Sequence, residues 1–457
     1  MPTPPTISWS DLAGRRVGVW GLGVEGRASV RRLATLGVEP VLVDDRPPDG
    51  GGPGGRPVLA TGDGGLDALA GCDVVVKAPG ISRHRPEVAM LEAAGVAVVG
   101  GLGLWLAGAD RSRVVCVTGT KGKSTTTAIA GHLATGLGLR AVTGGNIGTA
   151  PYDPDAPAAG DADLWLIEVS SYQAADVAWS PPVVAVTSLH PDHLPWHRGD
   201  EDTYYADKLG LCTRPGADLT VANGDSPLLR ERRALLGPRV EWVTVAGAAA
   251  DDWTAGLGLL GVHNHRNALI ARACLVAAGV PGADDDAALA RAAAGFAQLD
   301  SRLTPVATVD GVLFVDDSLS TNVLPTLAAV DAFPGRRVAL VVGGQDRGID
   351  YDPLAVGLAA RADRGEPTLV LVTDSEVGER IRAAFAALPA RGDLTVACCT
   401  DLPEAVRAGY AWAHGDGVVL LSPAAPSFDR FRDYRHRAEV FRATVAQLGG
   451  TGPPDAG

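Results

Sequence analysis

The stretch VVCVTGTKGKSTTTAIAGHLA, residues 114 to 134, decides the fold. Its apolar opening, Val114 to Val117, predicts a buried strand, the run TGTKG a tight turn, and Lys123-Ser124-Thr125 the first turn of a helix. A glycine-rich turn between strand and helix cradles phosphate, because backbone N–H groups and the positive end of the helix dipole converge on an anion. In such a loop Lys123 reaches the terminal phosphates, a Ser124 or Thr125 hydroxyl is a ligand for Mg²⁺, and Gly119, Thr120, Lys121 and Gly122 wrap the anion. The usual spacing GxxxxGK[ST] requires glycine at position 117, where Val117 stands; the first glycine is Gly119, so the loop is a variant.

Working outward, 457 residues exceed a single core, and about 100–200 residues per domain implies three modules. No run approaches the roughly 18 apolar residues that span a bilayer. The start, MPTPPTISWSDLAGRR, has no basic segment followed by an apolar one, and the expected location is the cytoplasm. Six cysteines are scattered without metal-ligand spacing and read as reduced thiols. A net charge of −13 argues against a nucleic-acid surface, while a local basic pocket for an anionic metabolite stays open.

The first module, residues 1–110, carries RRVGVWGLGVEG, a strand running into Gly21-x-Gly23-x-x-Gly26, and a second strand ending in Asp44 and Asp45. This dinucleotide-type βαβ unit speaks for a nucleotide diphosphate as readily as for NAD. A third strand, CDVVVKAPGIS, ends in the turn Pro79-Gly80. The tract 47–57 and the terminal TGPPDAG read as surface loops.

The middle module, residues 111–300, continues from the phosphate loop to the turn GGNIG (144–148) and the strand LWLIEVSSYQ, whose end carries Glu168. A carboxylate there is placed to hold Mg²⁺. The strand VVAVTS leads to a loop with His190, His193 and His197; the spacing HxxHxxxH on a proline-broken loop, without cysteine or HExxH, argues against zinc. A short helix carries Lys208, and Asn264 and Asn267 open a longer one. The third module, residues 301–457, begins after FAQLDSRLTPV and alternates strands and helices. The fold class is α/β: an N-terminal Rossmann-like domain, a central phosphate-loop sheet and a C-terminal Rossmann-like domain, mostly parallel, with ligand groups at strand C-termini.

The order of these motifs, TGTKGKST, GGNIG, EVSSYQ, DH with a downstream lysine, HNxxN, SR, DDSxSTN and SPAAPSFDRF, resembles the Mur ligases, in their glutamate-adding type. The resemblance implies an ATP-dependent ligase that adds glutamate to UDP-N-acetylmuramoyl-L-alanine through an acyl phosphate in peptidoglycan synthesis, working as a monomer on small molecules. It places the UDP substrate on Gly23, Val24, Glu25, Asp44, Asp45, Arg46, Pro79, Gly80 and Asn146. Lys123 then holds the ATP phosphates, Ser124 or Thr125 with Glu168 a first Mg²⁺, and His193 a second. Lys208 matches a lysine carbamylated in the family, a change that turns a cation into the anionic oxygen ligand hard Mg²⁺ prefers. Asn264, Asn267, Arg302 and Asp317 contact the nucleotide, and Thr321, Arg347, Ser427, Phe428 and Tyr434 line the glutamate site.

Three departures bear on stereochemistry. The common D-glutamate-adding pattern has DSKAT where Asp317-Ser318-Leu319-Ser320-Thr321 stands, a lysine where Arg347 stands in GGQDRG, and DHMDRH where DHLPWH stands. Together they resemble a branch that adds L-glutamate, with D-glutamate the alternative. A nicotinamide oxidoreductase leaves the phosphate loop and Lys208 unexplained, and a non-catalytic nucleotide-binding protein makes no amide product.

Overall fold

The computed structural model describes residues 4–146, 148–246 and 252–449; Ile147 of the GGNIG turn and the tail 451–457, expected as a surface loop, lie outside the described residues. The first sheet comprises β1 (Val17–Trp20), β2 (Val41–Asp44), β3 (Leu59–Ala60), β4 (Val74–Lys77) and β5 (Ala97–Gly100), in the order β3-β2-β1-β4-β5. All its pairings are parallel. The second comprises β6 (Val114–Thr118), β7 (Ala141–Gly145), β8 (Leu164–Glu168), β9 (Val183–Val186), β10 (Leu219–Asn223) and β11 (Val240–Val243), parallel throughout in the order β11-β10-β9-β6-β8-β7. Every residue of β1, β4, β6, β8 and β9 is buried, which is why these strands read as continuous apolar runs rather than alternating ones.

The chain divides into two compact units, Met1–Gly256 with Arg266–Phe296, and Leu257–His265 with Ala297–Gly457. The first unit holds the first two sheets on one continuous core, which runs from Trp9 and Leu12 through Val19 and Leu106 to Cys116, Trp165 and Val184. The helix Gly101–Gly108, GLGLWLAG, is apolar all round and largely buried, as a helix enclosed on every side must be. Its Trp105 meets Trp165 edge to face at 5.3 Å, a pair that adds about 0.5–1.5 kcal/mol beyond area burial.

The second unit is built on β12 (Thr304–Val309), β13 (Val312–Asp316), β14 (Val338–Val342), β15 (Thr368–Thr373), β16 (Leu394–Cys399) and β17 (Val418–Leu421), in the order β12-β13-β17-β14-β15-β16. Alternate residues of β14, β15 and β17 feed two separate cores, Leu340, Val370 and Leu420 on one face and Val341, Leu371 and Leu421 on the other. Residues 304–309, read from sequence only as the boundary between modules, form an edge strand antiparallel to β13. The intervening Asp310-Gly311 has positive φ at both residues, as a two-residue hairpin turn requires. Among the described residues no helix is long and apolar enough to cross a membrane.

Candidate active site

The loop after β6 is held open by close approaches that exclude side chains. Gly119 has φ +133°, and a Cβ on it would lie 2.2 Å from Thr187 Oγ1; at Gly122, φ +91°, it would lie 2.7 Å from Asn267 Oδ1. The residues just past β9 pin the loop: Thr120 N donates to Ser188 O at 2.9 Å, Lys121 N to Ser188 Oγ at 2.8 Å, and Thr187 Oγ1 to Lys121 O at 2.6 Å. Thr120 Oγ1 and Tyr204 OH are 2.8 Å apart. The helix Lys123–Gly136 begins directly on the loop, with Ser124 and Thr125 buried in its first turn. Lys123 Nζ donates back to Thr120 O at 3.1 Å, so its ammonium lies over the loop it opens.

Glu168 ends β8 opposite Val117 of β6, and is buried. Its Oε1 accepts from Asn146 Nδ2 at 2.7 Å, whereas Oε2 is buried with no hydrogen-bond partner among the described residues. An orphaned carboxylate oxygen costs about 1–3 kcal/mol or more unless a ligand satisfies it, so the site fits a hard divalent cation.

Lys208, on the helix Glu201–Leu209, is buried and donates from Nζ to Gly119 O at 3.0 Å, with the ammonium 5.1 Å from the Tyr204 ring centre. Burial, reinforced by the Lys123 and Lys121 cations and opposed by Asp192 and Glu168, holds this amine well below the ordinary lysine range. The shift is toward the neutral amine, the form that reacts with CO₂. His193 sits in the left-handed conformation, φ 52°, with its side chain 58% exposed and Nε2 3.7 Å from Asp192 Oδ1. Of its loop neighbours, His190 N donates to Thr120 Oγ1, while His197 turns inward to Asp207 and Ser171.

A cavity of about 730 Å³ opens at the C-terminal ends of the first sheet. Gly23, Val24, Glu25, Asp44, Pro79, Gly80 and Asn146 line it. Asp45 and Arg46 are engaged beside it: Asp45 pairs with Arg85 at 2.6 Å, and Arg46 N donates to Asp44 Oδ1 at 2.9 Å. The Glu25 carboxylate accepts from Tyr152 OH at 3.1 Å and from Gln173 Nε2 at 2.8 Å. Burial pushes it up to about 7 against those two hydrogen bonds.

In the second unit Arg302 stands between Ser301 and Leu303, both with φ near +55° in the left-handed region. Two carboxylates hold that turn: Ser301 Oγ donates to Asp316 Oδ2 at 2.9 Å, and Leu303 N to Asp317 Oδ1 at 3.0 Å. Asp317 also accepts from Ser320 and Ser422, and burial raises it to about 7. Leu319 N reaches Ser301 O at 3.1 Å, which brings Asp317, Leu319 and Arg302 together. The guanidinium of Arg347 lies 5.9 Å from the ring centre of exposed Phe428, beside buried Ser427. Thr321 follows the Asp317–Ser320 turn, and Tyr434 opens the helix Tyr434–Gln447. Asn264 falls in this unit and donates from Nδ2 to Leu260 O at 2.8 Å; Asn267 falls in the first.

Residues 117–257 match the Mur ligase middle domain, and residues 301–425 the Mur ligase glutamate ligase domain. A protein of Micromonospora sp. named UDP-N-acetylmuramoyl-L-alanine--L-glutamate ligase is 42% identical over 96% of this chain and 98% of its own length. The chain belongs to the Mur ligase family. A Salinispora tropica protein of the same name is likewise 42% identical, over 96% of this Mur ligase and 99% of its own length. The fold is shared with the MurF ligase of Thermotoga maritima solved in complex with ADP, with a TM-score of 0.56 over 96% of this chain and 99% of that one at 15% identity.

Several residues of this Mur ligase's site escape a linear reading. Thr187 and Ser188 brace the phosphate loop from 66 to 69 positions away, and the one signal for them is their place just past a buried strand. His84, 123 positions before Asp207, has no local pattern that announces the pairing.

Proposed function

We propose that this Mur ligase joins L-glutamate to UDP-N-acetylmuramoyl-L-alanine with cleavage of ATP, as a cytoplasmic monomer with domains 1–110, 111–300 and 301–457 serving peptidoglycan synthesis. The observation that carries the reading is Lys208: a buried amine bonded to the carbonyl of Gly119, inside a phosphate loop whose helix opens with Lys123.

Ser124 or Thr125 with Glu168 would hold one Mg²⁺, and His193 with Lys208 as its carbamate a second. Bound Mg²⁺ supplies charge neutralisation on the transferred phosphoryl group. Carbamylation begins with the neutral Lys208 amine attacking CO₂; an N–C bond forms and a proton leaves to solvent. Lys123 and the first-turn amides hold the phosphates in line while the first cavity holds the UDP end of the substrate. The alanyl carboxylate attacks the γ-phosphorus, the bond to the β-γ bridging oxygen breaks, and ADP leaves. The glutamate amine then attacks the acyl carbon, forming the C–N bond and releasing a proton as phosphate departs with the C–O pair. Arg347 grips a glutamate carboxylate with its two-pronged guanidinium, a geometry lysine does not offer, and Phe428 supplies an apolar wall.

The test is phosphate release from ATP with UDP-N-acetylmuramoyl-L-alanine and each enantiomer of glutamate. At least tenfold higher kcat/KM for the L form is expected; preference for the D form overturns the assignment.

A further inference from the structure

The loop that follows β9 is fastened at both ends. Its near end is bound into the phosphate loop through Thr187, Ser188 and His190, and through the Lys121–Asp192 ion pair at 3.2 Å. Its far end is a short 3₁₀ turn, Leu194–His197, bracketed by two non-glycine residues of positive φ, His193 and Arg198. From that turn Trp196 reaches residues of the first sheet's segment. The indole N–H donates to Pro79 O at 3.0 Å, and the Trp196 carbonyl accepts from Ser82 Oγ at 2.6 Å. Ile81 N closes the Pro79-Gly80 turn by donating to Ala78 O at 3.0 Å, and because Pro79 has no amide hydrogen, its carbonyl is the backbone group through which that residue is tied to the indole.

The indole is held in place. It stacks on Tyr172 at 4.6 Å and 20°, packs on His197 at 4.5 Å, meets His84 edge-on at 5.7 Å, and lies 5.6 Å from the Lys77 ammonium. Both flanking histidines are themselves fixed, because His84 Nε2 and His197 Nδ1 lie 2.7 and 2.6 Å from the same oxygen of Asp207. If both rings donate there as neutral imidazoles, His197 Nε2 is left to accept from Ser171 Oγ at 3.1 Å, and His84 Nδ1, which has no hydrogen-bond partner among the described residues, carries the lone pair.

We propose that Trp196 is a positioning residue: it locks the Pro79-Gly80 turn of the 730 Å³ cavity to the loop that bears Asp192 and His193. A substrate seated against that turn is thereby kept in register with the phosphate loop. The inference rests on the proposed binding of the UDP substrate in this cavity. Aromatic packing alone would require only a flat ring; the indole N–H tie to Pro79 is what a spacer would not need, and the Ser82 bond to the Trp196 carbonyl fastens the same turn through the backbone. Displacement of a reacting group by about 1 Å costs on the order of a hundredfold in rate, so a rigid tie at this distance from the chemistry has a kinetic consequence.

The full-length enzyme with Trp196→Phe keeps a six-membered aromatic ring and loses the pyrrole ring with its N–H. KM for UDP-N-acetylmuramoyl-L-alanine should rise about fivefold with KM for ATP unchanged, while Tm falls by no more than a few degrees, because the bond lost lies within the protein. Ser82→Ala should act in the same direction, and the double variant should lose less than the product of the two. Unchanged KM in Trp196→Phe overturns the proposal, as does a drop in Tm with equal losses toward both substrates, which marks a space-filling role. Turnover of the unaltered enzyme with the UDP substrate, measured alongside, reports separately on the functional reading; its absence overturns both.

Discussion

Two turns in this molecule share one backbone device and differ in what they do with charge. Gly119 follows β6 with φ +133° and meets Thr187 just past the neighbouring strand; Gly343 follows β14 with φ +139°, and a Cβ on it would lie 2.1 Å from Thr373 Oγ1, at the end of its own neighbouring strand. Beyond the first turn a helix starts at Lys123, and the nearby lysine of the site, Lys208, is buried. Beyond the second the chain runs through exposed Asp346 and Arg347, and the helix Asp352–Asp363 starts only later. The first turn leads straight into a helix N-terminus beside a buried lysine; the second leads to a solvated guanidinium. Electrostatic effects are far stronger in the first setting, because water screens an exposed charge.

That contrast ranks the expected effects of mutation. Lys123→Ala should abolish ATP-dependent phosphate release, roughly a thousandfold loss or more in kcat, since charge neutralisation and positioning carry phosphoryl transfer. Arg347→Ala should raise KM for glutamate about ten- to a hundredfold and leave KM for ATP in place, with Arg347→Lys between the two because a point charge cannot reproduce the fork. Steady-state kinetics with each substrate varied in turn distinguish these outcomes. If Arg347→Ala stops turnover at saturating glutamate as completely as Lys123→Ala does, the two turns are equivalent in catalysis and the contrast fails.

The glycines themselves should behave alike. Gly119→Ala and Gly343→Ala each force a Cβ against a threonine hydroxyl and place alanine at a positive φ, so each should lower stability by about 1–3 kcal/mol, read as a fall in the denaturant midpoint. Only Gly119→Ala should also raise KM for ATP.

The legibility of the sequence divides along the same line. The phosphate loop, the strands β1, β4, β6, β8 and β9, and the alternation of strand and helix were all readable, because buried parallel strands and glycine turns are local patterns. The edge strand β12 was not, since Ser301-Arg302-Leu303 with Pro305 looks like a linker; two left-handed residues and a bulge between Pro305 and Ala307 accommodate it. The buried polar network between the first two sheets was also hidden. Lys77, fully buried, pairs with Asp176, which in turn accepts from Arg83 at 3.0 Å, over separations of 99 and 93 residues. In sequence Lys77 is a charge at the end of an apolar strand, a pattern that ordinarily marks the return to solvent. The chemistry of buried charges is set by partners that only the tertiary fold supplies.

Glu25 provides the subtlest test of the difference between desolvated and solvated groups. Its carboxyl has an ordinary value of 4.5 and is pushed up to about 7 in the folded chain, chiefly by burial. Between those two values the folded state retains a proton that the unfolded state has released. Raising pH through this window therefore favours unfolding: the contribution of Glu25 is greatest below about 4.5, declines toward about 7, and is flat above it. At about 1.4 kcal/mol per unit of displacement the loss is on the order of 3 kcal/mol. Glu25→Gln is neutral at every pH and still offers an oxygen to accept from Gln173 Nε2 and an amide N–H₂ that the Tyr152 hydroxyl oxygen can accept, so the variant should show a flatter dependence of the urea midpoint between pH 5 and pH 7.5 than the unaltered protein. An identical slope in both would mean that Glu25 is solvated in solution like Arg347, and that burial does not separate the first unit's charges from the second's at this position.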